Sequence, residues 1–288
     1  MPATLDSILA ATRRRVAIAK AAADPRQLER QAEAHVPRGF GRQLRRAGAS
    51  GIAVIAELKK ASPSRGVIRA DFDAARLAGE LRSGGAAALS VLTDEQFFQG
   101  SLQNLRLASS RVPLPCLRKD FIVDEFQLLE SRAHHADAVL LIVAALGDSD
   151  LRTLYKGARS LDLDVLCEVH DEAELDRALA AGCEIVGVNS RNLRSFEVDL
   201  RTPLRLASRM PPGALSVAES GIHSGEDVRE LRAAGYQAFL VGESLMKAPQ
   251  PGEALRELLA QSAAVSGRSE LATGYHDLDQ DLRDHEPG

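Results

Sequence analysis

Eight short apolar runs, separated by longer stretches of helical periodicity, constrain the fold of this chain more than any other feature. The runs are IAVIAEL (52–58), AAALSVL (86–92), LPCLRKD (114–120), ADAVLLIVA (136–144), LDVLCEV (163–169), CEIVGVN (183–189), ALSVAES (214–220) and QAFLVGE (237–243). Between them, segments such as DAARLAGELRSGG, DEFQLLESRAHHA, DEAELDRALAAG and SGEDVRELRAAG open on an acidic residue or Ser. They space apolar residues at i, i+3 and i+4, and end in Gly or Ala before the next run. Those are start and stop signals of helices. Apolar runs alternating with helices imply parallel strands buried on both faces. Eight such units favour an α/β protein with a closed (β/α)8 barrel, a TIM barrel, over the structural alternative of a doubly wound sheet.

Two helical stretches, about 3–22 and 25–47, precede the first run, and Gly48 to Gly51 marks the change of texture. The first, ATLDSILAATRRRVAIAK, is Ala- and Arg-rich and resembles a transit peptide in composition. Its Leu5, Ile8, Leu9, Val16 and Ala19 nevertheless follow helical spacing, and Thr4 or Asp6 can cap its start, so it reads as an ordinary amphipathic helix. We expect one barrel domain over 1–265 that includes an N-terminal helical extension (1–48). The acidic, apolar-poor segment 266–288 is expected to be a disordered tail.

Composition excludes some classes. With a net charge of −4, aromatics at 4% and no Trp, neither a basic surface nor a stacking platform for nucleic acid is evident. The longest apolar runs, such as Ala136 to Leu146, are too short to span a bilayer. Cys116, Cys167 and Cys183 lack metal-ligand spacing and sit in or beside apolar runs, which reads as three buried, reduced thiols in a cytoplasmic protein.

In a parallel barrel the chemistry sits at the C-terminal ends of the strands. The first run ends in Glu57-Leu58-Lys59, and residues i and i+2 share a strand face, so Glu57 and Lys59 point the same way. The third ends in Arg118-Lys119-Asp120, the fifth carries Glu168, the sixth Asn189 followed by Arg191, and the seventh Glu219-Ser220. Carboxylates, amines and an amide thus converge from five strands where a packing-only core would hold Val, Ile and Leu. Buried charge is costly unless paired, so the set reads as a site; structural salt bridging is the bland alternative for any single member. AESGI (218–222) and VGESL (241–245) place glycines in the loops after strands seven and eight, the frequent phosphate position of barrels. The polar loop Lys59 to Asp71 suits a lid over substrate or a plain solvated loop. His134-His135 does not read as a metal pair, because helix neighbours do not face one site. His170 either touches the site beside Glu168 or lies on the surface.

In order along the chain, AELKKASPSRGVI, SVLTDEQFFQGS, LRKDFIVDEFQ, ADAVLLIVAAL, GVNSRNL, VAESGI and VGESLM resemble the signature set of indole-3-glycerol-phosphate synthases, enzymes of tryptophan biosynthesis. The likeness runs from residue 3 to about 260. It implies ring closure, decarboxylation and dehydration of 1-(2-carboxyphenylamino)-1-deoxyribulose 5-phosphate, a carboxy-lyase reaction needing no cofactor and no metal. It implies Lys119 as general acid and Glu168 as base, with Lys59 assisting and pairing the phosphate. Glu57 and Glu219 would set the lysines, Asn189 would hold a sugar hydroxyl, and Ser220 is a further site position. Ser62 and Arg191 would orient the anthranilate carboxylate, with Phe98, Phe121, Leu140 and Leu193 as further substrate contacts. Lys59, Gly221, Gly242 and Glu243 would meet the phosphate.

Three departures stand out. Glu243 occupies a position where some members carry Ser, so its carboxylate must turn away from phosphate; His135 replaces a common Gly; and the tail belongs to no motif. The implied partner is a phosphorylated small molecule, not nucleic acid or membrane, with the chain a monomer or weak homodimer. The rivals are a Schiff-base aldolase using Lys119, a non-catalytic phosphate-ligand sensor, and another phosphate-binding barrel of amino-acid synthesis.

Overall fold

The structure, a computed structural model, describes residues 4–191, 199 and 201–263. Leu193 and the segment 266–288 lie outside the described residues. Each of the eight apolar runs contains a strand: β1 (Ala53–Leu58), β2 (Ala88–Leu92), β3 (Cys116–Lys119), β4 (Ala138–Ile142), β5 (Asp164–Val169), β6 (Ile185–Asn189), β7 (Leu215–Glu219) and β8 (Ala238–Val241). All pair in parallel with their chain neighbours, and β1 also pairs with β8, so the barrel closes. Helices α1 (Leu5–Ala22), α2 (Pro25–Ala34) and α3 (Phe40–Ser50) precede it. Around it run α4 (Ala74–Ser83), α5 (Leu102–Arg111), α6 (Phe126–Ala133), α7 (Asp148–Ser160), α8 (Glu172–Ala180), α9 (Arg201–Ala207), α10 (Gly225–Ala233), α11 (Glu243–Lys247) and α12 (Pro251–Ala263).

The two-residue period of a strand sorts the core into two shells. Ala53, Ile55, Ala88, Leu117, Ala138, Leu140, Leu166, Ile185, Val217 and Leu240 fill the barrel interior. Their strand neighbours Val54, Ala56, Leu89, Val91, Val139, Leu141, Val186, Val188 and Phe239 pack under the helices. Side-chain caps start the helices where the sequence offers them: Thr4 with Ser7 at α1, Asp24 ahead of Pro25 at α2, Asp73 at α4, Asp171 at α8 and Ser224 at α10. His135, which replaces a glycine of the motif, takes the left-handed φ of 68° that Gly85 and Gly182 adopt at equivalent turns.

The helical stretch expected over 25–47 is two helices. Pro37 and Gly39, the latter at φ 77°, interrupt it because one lacks an N–H and the other is left-handed. This break lets the first 50 residues span the barrel from end to end. Ile8 and Leu9 of α1 join the inner apolar shell, and Arg15 reaches Asp120 at 2.9 Å, just past the C-terminal end of β3. Leu28 and Ala32 of α2 pack with Ala133 of α6 on the flank. Phe40 and Leu44 of α3 complete the inner shell, where the Gly41 N–H donates to Asp164 at the start of β5 at 2.9 Å. The turn between α2 and α3 is pinned by Arg38, whose Nε and terminal nitrogen donate to the buried Asp137 carboxylate at 3.0 and 2.6 Å.

The cysteines differ from the sequence expectation. Cys167 in β5 and Cys183 just before β6 form a disulfide, with Cα atoms 6.4 Å apart. The ladder partner of Cys167 is Val186, so it is the turn entering β6, where Cys183 sits, that comes back to Cys167, a proximity hidden by the helix between them in sequence. Only Cys116 remains a buried free thiol, and burial pushes it up to about 12, so it is no nucleophile. The cysteines therefore give no argument for a reducing compartment. No helix among the described residues is long and apolar enough to cross a membrane.

Because Phe40 is fully buried beneath the barrel, Phe40→Ala should cost about 3–5 kcal/mol, the usual loss for a large core aromatic. Urea unfolding measures this directly; a loss below about 1 kcal/mol would mean that α3 does not close the barrel floor.

Candidate active site

The inward period that fills the barrel with Ile and Leu ends, on its uppermost layer, in charge. Glu57, Lys119, Glu168, Asn189 and Glu219 all line one cavity of about 300 Å³ at the C-terminal mouth. Lys119 Nζ lies 2.6 Å from Glu168 Oε2 and 3.1 Å from Glu219 Oε2. Burial works against its charge, but Glu168, Glu219 and Glu57 outweigh it, and the amine is held above its ordinary range. Burial raises Glu168 too, yet Lys119 and His170 overcome it and hold this carboxylate well below its ordinary value. Glu219 goes the other way: burial and the neighbouring Glu168 outweigh Lys119 and push it up to about 8. One ammonium is thus flanked by an ionised carboxylate and, at neutral pH, a protonated carboxyl.

Two glycines make room for this layer. A Cβ at Gly187 of β6 would collide with the Glu219 carboxyl, and one at Gly242 after β8 would collide with Glu57. Gly242, expected as a phosphate contact, therefore also has a packing reason to be glycine. Glu57 in turn accepts from Lys59 at 2.7 Å, and both line the cavity. Asn189 Oδ1 accepts from Ser220 Oγ at 2.7 Å and from the Arg191 N–H at 3.0 Å.

Ser220 and Gly221 are both left-handed, at φ 63° and 75°, and turn the chain sharply out of β7 at the cavity wall. The N-terminus of α10 beyond them is already occupied, since Asp227 accepts from His223 N and Ser224 N at 2.9 and 2.8 Å. α11 starts beside the cavity at Gly242 with no side-chain cap. The Glu243 carboxylate does not turn out into solvent. It is held by Lys247 at 2.6 Å, Arg65 at 3.3 Å and Arg191 at 3.5 Å.

The opposite wall is apolar. Phe98 and Phe121 have centroids 6.5 Å apart, and Leu140 lies on the same cavity wall. Leu5 and Ile8 of α1 also line the cavity, a contribution the sequence reading missed. The signal was an apolar stripe on α1 with no partner in the repeating strand–helix pattern. The polar loop after β1 is a short hairpin, Ala61–Ser62 against Gly66–Val67; Ser62 and its tip, Pro63 to Arg65, line the cavity. Arg118, the residue before Lys119, points the other way. It is fully buried and paired with Asp120 at 3.0 Å and Glu130 at 2.9 Å, so its role is structural. His134 caps α6, and His135 stacks on His35 with centroids 5.1 Å apart. No group of three or more candidate metal ligands occurs among the described residues.

The raised carboxyl has a consequence for stability. Glu219 keeps in the folded state, up to about pH 8, a proton that its ordinary value of 4.5 would release on unfolding. Its contribution to stability is therefore present at low pH and is lost as pH rises through that window. Glu219→Gln removes the titration, so its melting temperature relative to the parent should climb by several degrees from about pH 4.5 to about pH 8. A difference that stays constant with pH would show that Glu219 titrates normally.

A sequence profile described as indole-3-glycerol phosphate synthase matches residues 5–258. An indole-3-glycerol phosphate synthase of Koribacter versatilis (strain Ellin345) is 58% identical over 259 residues, covering 90% of this chain and all of the relative. One from Variovorax paradoxus (strain S110) is 50% identical over 264 residues, covering 90% of this chain and 99% of the relative. Among solved structures, a thiamine phosphate pyrophosphorylase from Pyrococcus furiosus superposes with a TM-score of 0.55 at 16% identity, covering 72% of this chain and 93% of that one. An N-acetylmannosamine-6-phosphate 2-epimerase from Clostridium perfringens gives 0.54 at 12%, covering 67% and 86%. These distant likenesses speak for the barrel fold only, whereas the near relatives and the profile run almost the length of the chain: it belongs to the indole-3-glycerol phosphate synthase family.

Proposed function

We propose that the barrel mouth closes an indole ring, converting 1-(2-carboxyphenylamino)-1-deoxyribulose 5-phosphate to indole-3-glycerol phosphate with loss of CO2 and water. The observation that carries the residue roles is the Lys119 ammonium between Glu168 and Glu219. Ring closure needs an acid for the ketone oxygen as the ring carbon attacks. Lys119 is charged, inside the cavity, and one layer above an apolar floor. CO2 leaves with the electrons of the breaking C–C bond returning to the ring; the loss of water that follows needs a base for the C–H proton, and Glu168 is the carboxylate held ionised beside Lys119. Lys59, paired to Glu57, assists the dehydration and reaches toward the phosphate.

The phosphate lies between Gly221 and the start of α11, where backbone N–H groups are not taken by a side-chain cap. Glu243 sits at that edge and contributes through its backbone; its carboxylate stays within the group of Arg65, Arg191 and Lys247. The anthranilate ring lies against Phe98, Phe121 and Leu140, with Leu5 and Ile8 over it, and Ser62 and Arg191 meet its carboxylate. Asn189 and Ser220 hold a sugar hydroxyl. The covalent aldolase alternative needs a neutral amine at Lys119, and the carboxylates around this one favour its charged form.

Lys119→Met keeps the length of the stem and removes the proton. We expect kcat to fall by about 10² to 10⁴, with KM changed much less. The fold should survive, because Glu219 already favours its protonated form. Lys59→Met should lower kcat and raise KM together. A stable Lys119→Met protein with near-normal kcat would contradict the assignment.

A further inference from the structure

Glu168 presents its two oxygens to two different cations. Oε2 takes Lys119 at 2.6 Å, and Oε1 lies 3.4 Å from Nε2 of His170. His170 stands immediately past the end of β5, its side chain only 13% exposed and set behind Glu168 outside the cavity lining. Its other ring nitrogen, Nδ1, is 2.9 Å from Glu174 Oε2, and the same oxygen accepts the His170 backbone N–H at 2.8 Å. Glu174 is itself fixed in the first turn of α8, where its N–H donates to the capping Asp171 at 2.8 Å. The result is a line of alternating charge from the helix to the reacting layer: Glu174, His170, Glu168, Lys119.

We propose that His170, oriented by Glu174, is a positioning residue that keeps Glu168 ionised after Lys119 has given up its proton. The inference rests on the reading of Lys119 as acid and Glu168 as base. When the ring carbon bonds to the ketone carbon, an N–H bond of Lys119 breaks and the former ketone oxygen gains that proton. Lys119 is then a neutral amine. Glu168, 1% exposed, would be left in the barrel without a counter-ion, and burial would draw a proton onto it before it could serve as base. His170 does not reach the cavity, so the reaction leaves its charge in place.

The electrostatics agree. Burial opposes the imidazolium, but Glu168 and Glu174 outweigh it and hold His170 at about 10. The groups acting on His170 are Glu168 at the end of β5 and Glu174 on α8; those acting on Glu168 are Lys119 from β3 and His170, and the raised Glu219 of β7 faces the same pair.

The test measures kcat and KM against pH for the parent, His170→Asn, His170→Gln and Glu174→Gln, with melting temperatures alongside. Removing the cation raises Glu168 toward its ordinary value, so the acidic limb of kcat should move up by about one pH unit in His170→Asn. In that variant kcat should fall by about tenfold with KM nearly unchanged. Glu174→Gln should shift the limb the same way by less. His170→Gln, which can keep an N–H toward Glu168, should retain more kcat than His170→Asn. An unmoved acidic limb in an active parent and variants overturns the inference while leaving the proposed reaction intact. A parent that forms no indole product overturns the underlying reading, and the inference with it. In the parent, the His170 Cε1–H resonance followed by NMR should keep its protonated shift past about pH 8; a histidine that is neutral at pH 7 overturns the proposal even if the variants fail to fold.

Discussion

A single ammonium, Lys119, between the carboxyl groups of Glu168 and Glu219 is the interaction on which the site depends. A charge in a barrel interior is tolerated only when it is paired in good geometry. Here the pairing is supplied by three strands, β3, β5 and β7, so no strand can shift along its neighbours without separating it. The two carboxyl groups are driven apart in proton affinity. Glu168 is held ionised by cations on two sides, and Glu219 is pushed up by burial and by Glu168 itself. Two chemically identical side chains are thereby given different states at the same pH, which is the condition for acid and base work in one cavity.

The fold serves this cluster in ways that reach beyond the residues touching it. Gly187 and Gly242 leave the space that the Glu219 and Glu57 carboxyl groups occupy. Outward-facing Arg118 ties β3 to α6 through Glu130 while Lys119, its neighbour, faces the cavity. α1 adds Leu5 and Ile8 to the apolar wall, and its Arg15 pairs with Asp120 one residue past Lys119. The extension that precedes the barrel is therefore part of the cavity wall at one end and of the barrel floor, through Phe40 and Leu44, at the other.

Much of this is legible in the sequence because strand period and strand end carry different information. The apolar runs name the strands, and Glu57, Lys119, Glu168, Asn189 and Glu219 stand out at their ends as charges or amides where packing alone would place Val or Leu. What depends on the angle between elements is not legible. Cys167 and Cys183 are 16 residues apart with a helix between them, and the path of the turn into β6 brings their sulfurs together. The break at Pro37 and Gly39 is visible in sequence, but the burial of Phe40 and Leu44 that follows from it is not. Glu243 was expected to turn away from the phosphate; its cluster with Arg65 and Arg191 joins three different loops. His170 reads equally as surface or site until Glu174, one helical turn away, shows which way the ring faces.

Whether this mouth closes an indole ring is decided by product formation. Purified protein is incubated with 1-(2-carboxyphenylamino)-1-deoxyribulose 5-phosphate and no added metal or cofactor, while indole fluorescence and released CO2 are followed together. Both should appear with equal amplitude and equal rate constants over repeated turnovers. Binding of the phosphorylated ketose with neither indole nor CO2 released would contradict the proposed reaction.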